Sequence, residues 1–425
     1  MNPLLQRDGA LATAPPPPRR FAGACVALLD ARDPAAWQAV AGLAPVQRLV
    51  RSLELEGVSE IVLLSSVERE PSALGMRRPA TRARIRRVAP GEPIPADLRR
   101  SPAPGGVLAV DATLLVDRRL LGALLCAERP AVVSPTPDRP AEPARVRLAR
   151  LHARQLDLLG APLARAHDLD ALDPCGLPLH QEEMRGRMPI LLLDVSTPTA
   201  AARAEAPLVQ STQKLVMDAP ARWIDPLPEN WLLRRLAPTR VTPDHVTLAA
   251  AAIGAVAAWL LWRGWLAAAL PLMLGVGWLD GVDGKLARLR LEFSRLGASE
   301  ALLDFAVENA WWTALTVHLA GRYGEAALAA GAALIGGNLA DEIAYTAGHA
   351  RLGRALDLLS PADRSFRLVA GRRNIYVWIL CAFAIAGSAQ AGLAACGVWA
   401  LVTAAVHWAR LAGRLRGVAV AGSPP

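Results

Sequence analysis

Two runs decide how this chain must be built: Asp280-Gly281-Val282-Asp283-Gly284-Lys285-Leu286-Ala287-Arg288 and Gly297-Ala298-Ser299-Glu300-Ala301-Leu302-Leu303-Asp304-Phe305-Ala306-Val307-Glu308. The first closes a long apolar stretch and the second opens another. Asp280 and Asp283 are spaced i, i+3 and share one helix face. Gly284 and Ala287 continue that face with little bulk, so a second helix or a ligand can approach closely. Glu300, Asp304 and Glu308, at i, i+4 and i+8, form a carboxylate stripe on the next helix. Each buried carboxylate costs about 2.5–3.5 kcal/mol near the centre of a membrane helix. Five of them at a membrane boundary therefore need a cation, and hard oxygen donors suit Mg²⁺, Mn²⁺ or Ca²⁺ better than zinc.

Working outward, apolar stretches recur from residue 246 with short breaks. The pattern predicts six membrane helices at about 246–261, 265–283, 298–319, 326–346, 375–387 and 393–408. Trp259, Trp262, Trp265, Trp378 and Trp408 fall near span ends, as an aromatic belt requires. Arginines sort by side. Arg222, Arg234, Arg235 and Arg240, then Lys285, Arg288, Arg290 and Arg295, then the run from Arg351 to Arg373, then Arg410, Arg414 and Arg416 fall on one side; Arg263 and Arg322 fall on the other. Positive loops stay cytoplasmic, which predicts both termini and the acidic site inside, in a multi-pass inner-membrane protein. A soluble all-helical core would not produce this alternation.

The first half differs. Residues 1–220 hold 28 basic and 24 acidic side chains, against 19 and 14 for 221–425, and eleven of the twelve Trp lie in the second half. Strands are expected at 21–30, 60–65, 106–111 and 190–195, with helices at 45–56 and 114–125. Strands alternating with helices predict a parallel α/β sheet. The fold expected is therefore an α/β domain followed by an all-α transmembrane domain. Its divisions are a linker at 1–20, rich in proline from Pro15 to Pro18, a sheet domain at 21–205, a juxtamembrane segment at 206–241, the membrane domain at 242–416 and a tail at 417–425. The five cysteines show no zinc or redox spacing, so a reduced compartment is the default. The net charge of +9 comes without a basic stripe carrying interleaved aromatics, which excludes nucleic acid as partner.

The acidic runs resemble the signature of the CDP-alcohol phosphotransferase family, Asp-x2-Asp-Gly-x2-Ala-Arg, a spacer, then Gly-x3-Asp-x3-Asp. Asp280, Asp283, Gly284, Ala287 and Arg288 match its first part and Gly297 its second glycine. The position four after Gly297 is Ala301, a departure. Slipping back one residue restores the acid pair as Glu300 and Asp304; inserting three restores it as Asp304 and Glu308. Which acid is the base stays open between these alignments, and Asp304 occurs in both. Thr242-Pro243-Asp244-His245-Val246-Thr247 is similar to the Thr-Pro-Asn-x2-Thr that opens the family's first span. Thr242 and Pro243 suit a helix cap and first turn.

The resemblance implies a membrane transferase that moves a phospho-alcohol group from a CDP-alcohol donor to a hydroxyl or polyol-phosphate acceptor and releases CMP, in phospholipid or polyol-phosphate biosynthesis. It implies two Mg²⁺ or Mn²⁺ ions held by Asp280, Asp283, Glu300 and Asp304, with the final carboxylate, Asp304 or Glu308, as the base that activates the acceptor hydroxyl. Gly284, Ala287, Arg288 and Gly297 would line the donor site. Gly371-Arg372-Arg373-Asn374 either binds an acceptor phosphate through its arginines or is a positive-inside anchor. Asn338, Asp341 and Glu342 either line the acceptor pocket or lie at the interface, and His318 and His407 are expected to serve helix packing. Membrane lipids are expected partners, and a homodimer is an expected assembly.

The first half is similar to the sugar nucleotidyltransferases over residues 45–64, read as their first helix and second strand, at Val107-Leu-Ala-Val-Asp111, and at Asp194-Val-Ser196-Thr197-Pro198. The family's glycine-rich phosphate loop is missing: Leu29-Asp30-Ala31-Arg32-Asp33-Pro34 has no glycine and carries two acids. That order of domains resembles bifunctional enzymes that make CDP-inositol and then di-inositol phosphate. The lost loop implies that only the second activity survives. The alternatives are a bifunctional enzyme that makes its own CDP-alcohol from CTP, and a non-catalytic membrane protein that binds lipid or polyol phosphate.

Overall fold

Val26-Ala-Leu-Leu-Asp-Ala31 is nearly continuous apolar sequence, the composition of a strand buried on both faces. In a computed structural model of the chain this run is β1 (Val26–Ala31) of a seven-stranded sheet. The structure describes residues 26–65, 83–89, 92–95, 98, 106–133, 145–294 and 296–421, with the side chains of 298, 300 and 417–421 left out. The proline-rich linker and the first part of the expected 21–30 strand lie outside the described residues.

The sheet continues with α1 (Pro45–Leu55), β2 (Glu60–Ser65), β3 (Arg84–Val88) and β4 (Val107–Asp111). Next come β5 (Leu114–Val116), α2 (Arg118–Cys126), β6 (Ala131–Val133), β7 (Leu148–Leu151) and β8 (Asp170–Leu172). The spatial order is β3-β2-β1-β4-β7-β6-β8. The first four strands are mutually parallel, and β7 runs antiparallel to both neighbours. The sheet is thus parallel-rich rather than wholly parallel. The register sets Asp30 opposite Asp111 where β1 and β4 end.

Two expectations need correction. The helix expected over 114–125 begins only at Arg118. Leu114-Leu-Val116 is strand, and Asp117 accepts the Arg119 amide to cap the helix that follows. The run 190–195 is not part of the large sheet. After a short hairpin of β9 (His180–Gln181) and β10 (Gly186–Arg187), β11 (Leu192–Asp194) pairs antiparallel with β5. A three-residue strand has too little sequence to show a period of two, which hid β5.

Three helices follow: α3 (Pro198–Gln210), α4 (Ala219–Trp223) and α5 (Pro226–Leu236). The membrane half then comprises α6 (Pro243–Trp262), α7 (Leu266–Arg290), α8 (Glu300–Tyr323), α9 (Glu325–Leu352), the short α10 (Pro361–Arg367), α11 (Arg373–Ile385) and α12 (Ala389–Ala421). Thr242 Oγ1 accepts the His245 amide at 3.3 Å and caps α6, with Pro243 in its first turn. Each of the six expected spans falls on one of these longer helices. Among the described residues, three helices, α6, α7 and the 389–416 part of α12, are long and apolar enough to cross a membrane by length and composition. Carboxylates within α8 and α9 lower their apolarity, and α11 has 13 residues. Trp259, Trp262, Trp265, Leu328, Ile343, Trp378, Ile385 and Val398 are exposed on these helices, an apolar outer surface of the kind lipid covers.

Small residues bring the helices close. A Cβ on Gly337 would lie 2.8 Å from the Ala400 carbonyl carbon, and one on Gly397 would lie 2.7 Å from Ala330 O, so α9 and α12 cross almost backbone to backbone. Trp311 and Trp312 are fully buried between them and their neighbours, and Trp311 Nε1 donates to Gly254 O of α6 at 2.7 Å.

The soluble and membrane halves share one apolar core. Val40, Leu115 and Val195 pack in the same buried cluster as Val282, Leu286 and Leu289 of α7. This cluster seats the sheet domain on the end of the helix that carries Asp280 and Asp283.

Candidate active site

The acids of α7 lie in its last three turns, where the apolar stretch gives way to Lys285, Arg288 and Arg290. Asp283 is buried, and its carboxylate accepts the Thr247 hydroxyl of α6 at 2.7 Å and the Gly284 amide at 2.6 Å. Thr247, five residues after the α6 cap, thereby ties the first long helix to the second. Asp280 is turned toward α8 and α11. Arg373, at the start of α11, donates from Nη2 to Asp280 Oδ2 and pairs through Nη1 with Asp304 Oδ1 at 3.4 Å. One guanidinium thus joins acids from two facing helices. Asp280 and Asp304 are each about one-third exposed (32%), so they form the open side of the cluster while Asp283 forms its floor.

Glu308 sits one turn beyond Asp304. Its Oε1 accepts from Trp312 Nε1 at 3.1 Å and from Asn338 Nδ2 at 3.2 Å. Two fixed donors on one oxygen orient the carboxyl and leave Oε2 as the available acceptor. The side chain of Glu300 lies outside the described residues; its backbone is the first residue of α8.

The glycines have different tasks. A Cβ on Gly281 would come within 2.0 Å of Glu229 Oε1, so this glycine admits the Glu229 carboxylate of α5 beside α7. There Glu229 pairs with Lys285 at 2.6 Å, and Asn230 Oδ1 accepts a second Lys285 N–H at 3.0 Å. A Cβ on Gly284 would lie 3.3 Å from Arg288 Nη1. Ala287 is buried against its neighbours. Gly297 donates to Ser294 Oγ at 3.0 Å, and Ser294 donates in turn to Asp244, linking the turn before α8 to the Thr242-Pro243-Asp244 cap.

Several residues singled out from the sequence are placed differently from one another. Arg288 Nε donates to Thr212 O at 2.9 Å, in the segment after α3. Arg372 and Arg373 diverge. Arg373 reaches the acids, while Arg372 lies over the Tyr345 ring at 4.8 Å and 3.9 Å from Glu342. Asn338 serves Glu308, whereas Asp341 is bonded to His407 in the α9–α12 contact, so His407 is a paired group rather than an isolated packing residue.

Sequence reasoning missed the polar network behind the acids. Asp225, at the start of α5, accepts from Trp278 Nε1 and Asn374 Nδ2, each at 3.1 Å. Burial lifts the Asp225 carboxyl to about 6; the Trp278 hydrogen bond opposes that rise and Asp218 adds to it. Nothing in local sequence marks Asp225, because its partners are 53 and 149 residues away.

The donor chemistry of Asp280, Asp283 and Asp304, all carboxylate oxygen, suits a hard divalent cation. Among the described residues, which leave out the Glu300 side chain, no three His, Cys, Asp or Glu side chains are grouped so as to hold a metal ion as they stand, with Arg373 between Asp280 and Asp304. The charge between Asp280 and Asp304 is carried by Arg373. A positive group therefore already stands where the acids need one.

In the sheet domain, Asp111 and Asp194 converge, and an arginine joins them. Arg147 donates to Asp111 at 2.7 Å, to Asp194 at 2.7 Å and to Thr113 Oγ1 at 2.6 Å. Burial opposes the Arg147 charge, but the two carboxylates outweigh it and raise its pKa. Asp30 is paired with Arg32 at 2.6 Å.

Residues 240–335 match the CDP-alcohol phosphatidyltransferase family model. Among solved structures, phosphatidylinositol phosphate synthase PgsA1 of Mycobacterium tuberculosis with CDP-DAG bound is similar at 20% identity, over 44% of this chain and 93% of that one, with a TM-score of 0.35. UDP-glucose pyrophosphorylase from Acinetobacter baumanii is similar at 12% identity, over 50% of this chain and 99% of that one, with a TM-score of 0.32. No curated protein matches the chain. Asp280, Asp283 and Asp304 all lie within the segment, residues 240–335, that matches the CDP-alcohol phosphatidyltransferase family model.

Proposed function

We propose that the protein is an integral membrane transferase that moves a phospho-alcohol group from a CDP-alcohol to a hydroxyl acceptor and releases CMP. The observation that carries this reading is the meeting of Asp280 and Asp304 across one guanidinium, with Asp283 held beneath them by Thr247, inside the matched segment. The three aspartates would hold a divalent cation, Mg²⁺ or Mn²⁺, against the donor diphosphate. When bound, such an ion supplies positive charge to the attacking and leaving oxygens.

The chain's own groups divide the remaining work. Glu308 is oriented by Trp312 and Asn338, and its Oε2 takes the acceptor hydroxyl proton. The freed oxygen forms a bond to the β-phosphorus, and the bond from that phosphorus to the oxygen of CMP breaks. Asp304 shares the acid cluster with Asp280, and the orientation of Glu308 by Trp312 and Asn338 supports the alignment that uses Asp304 and Glu308. Arg373, released from the two acids, is placed to meet phosphate oxygens bidentately. Arg372 belongs to the Tyr345–Glu342 surroundings and serves the positive cytoplasmic face.

The sheet domain does not transfer nucleotides in this reading. Arg147 binds both acids that could otherwise hold a cation, and the turn after β1 has an Asp30–Arg32 pair instead of a glycine cradle. The membrane is a cytoplasmic (inner) membrane, with the acids on the arginine-rich side.

The decisive experiment uses the full chain in lipid nanodiscs with Mn²⁺ or Mg²⁺. CDP-diacylglycerol and CDP-inositol are offered against lipid and polyol-phosphate acceptors, and CMP is measured. Asp280→Asn and Asp283→Asn should abolish release, and full activity in either variant sinks the mechanism. Asp280→Asn protein given CTP and polyol phosphates should form no pyrophosphate; formation would restore the bifunctional reading.

A further inference from the structure

The sheet domain keeps its fold and a shared core with α7, yet its own acids are closed by Arg147. We propose that this domain positions the catalytic helix, with Arg48 and Arg51 of α1 fixing the end of α7 that carries Asp280 and Asp283. The proposal rests on the reading of those acids as the transfer site.

Four observations meet at that helix end. Arg48 Nη1 donates to Leu289 O at 2.5 Å, and Arg51 Nη1 to Arg290 O at 2.5 Å and to Glu292 at 3.1 Å. The last carbonyls of a helix lack intrahelical partners and carry the negative end of its dipole, so two guanidinium groups there are both donors and counter-charges. Arg48 is buried, and its Nε and Nη2 have no partner among the described residues. Burial, with Arg51 beside it, lowers its pKa to about 10, so it stays charged at neutral pH and its charge is directed at the helix end.

Helix α7 stops in a strained way. Leu291 is left-handed, with φ 54°, a conformation that a leucine holds only when its surroundings impose it. The clamp spans this turn, binding the two residues before Leu291 and the one after it. Gly42 of the sheet domain then fixes the approach from the side. It has φ +83°, and a Cβ there would lie 2.0 Å from Ala237 O. Arg290, buried, donates to the carbonyls of Leu236, Ala237, Thr239 and Val241, so α7, α5 and the sheet domain close on one point.

Leu289 lies six residues after Asp283, under two turns of helix, and a rigid helix carries a displacement over that distance. A misplacement of about 1 Å costs up to about a hundredfold in rate. Arg48 is therefore a positioning residue, acting on the reaction through α7.

The test uses full-length protein in nanodiscs and two readouts: hydrogen exchange of backbone amides 286–294, and turnover per folded molecule with the KM for the CDP-alcohol. Arg48→Met should speed exchange at 286–294 and lower turnover about tenfold, with KM changed less than about threefold. Arg48→Lys, which keeps a cation at the helix end, should recover part of both. Unchanged exchange would overturn the clamp, and faster exchange with turnover within about twofold of the parent would overturn its coupling to the site. Should Arg48→Met not fold, Arg51→Gln is read in the same way, with a turnover loss of about threefold expected and unchanged turnover against the proposal. The exchange result stands apart from the Asp280→Asn result, so failure of the clamp and failure of the transferase reading are distinct.

Discussion

Replacing Lys285 by Met isolates one charge that holds α5 against the acid-bearing helix. Lys285 Nζ lies 2.6 Å from Glu229 Oε2, with the two side chains only 3% and 6% exposed. Removing one partner of such a pair strands a buried charge and costs about 3–5 kcal/mol. The Asn230 contact to Lys285 goes as well. At about 2–4 °C per kcal/mol for a domain of this size, the melting midpoint should fall by roughly 6–20 °C. The double variant Glu229→Leu with Lys285→Met leaves no stranded charge and should recover most of the loss. Burial holds the Glu229 carboxyl above its ordinary range against the pull of Lys285. Without Lys285 that carboxyl is easier still to protonate. A raised folded-state pKa favours folding at low pH and is lost as pH rises, so the single variant's deficit should shrink from pH 8 toward pH 5. Thermal unfolding in nanodiscs, followed by tryptophan fluorescence, reads all three forms. A single variant within about 2 °C of the parent, or a double variant no better than the single, would refute the claim that this pair locks α5 to α7.

Two further outcomes follow from named contacts. Burial raises the pKa of Asp194, but the Arg147 hydrogen bond and the Ser196 amide outweigh it and depress the folded-state value. A depressed acid stabilises the fold above the unfolded value near 3.9, and that contribution is lost as pH falls through the folded value. Arg147→Met should therefore flatten the loss of sheet-domain stability below about pH 4, seen by circular dichroism; an unchanged acid limb would contradict the pairing. Thr247→Val keeps the shape of α6 but removes the hydroxyl at 2.7 Å from Asp283. A hydrogen bond to a charged group is worth about 1.5–3 kcal/mol, so kcat/KM for CMP release should fall at least about tenfold, and an unaltered kcat/KM would remove Thr247 from the site.

The sequence made the division of the chain legible because charge and tryptophan content change together, and because each long helix carries its own apolar run. Pro45 and Gly57 bracket α1, and Glu60–Ser65 is strand as its β-branched run implies. What stayed hidden is structure made by distant partners. Leu114-Leu-Val116 has the composition of a helix start, and only β11, nearly eighty residues on, makes it a strand. The antiparallel β7 is likewise invisible locally, since nothing within Leu148–Leu151 sets the direction in which the strand pairs. Spans were legible as helices but less so as membrane crossings, because carboxylates inside α8 and α9 remove the apolar average that marks a span.

The acids themselves were legible for a physical reason: five carboxylates beside apolar helices are too costly to be incidental. Their counter-charge was not, because its position depends on the turn before α11. Arg372 and Arg373 are adjacent in sequence, yet a helix start sends them to opposite neighbours, one to Tyr345 and one to Asp280 and Asp304. Composition counts both as positive-inside residues. Only the fold separates the one that marks a membrane face from the one that joins two acids. The same holds in the sheet domain, where Arg147, the residue before β7, meets Asp111 and Asp194 from β4 and β11. In both domains an arginine stands between aspartates from different elements, but the number and closeness of its bonds differ between the two sites. Arg147 reaches two acids and a hydroxyl through three of its nitrogens, a closed network with little left to offer a ligand. Arg373 holds two acids through its two terminal nitrogens, the one to Asp304 at the longer distance of 3.4 Å. The first arrangement is a fuller ion-pair network and the second a sparser one, and that difference, with the family match over residues 240–335, is why the proposed transfer is placed at Asp280 and Asp304 rather than in the sheet domain.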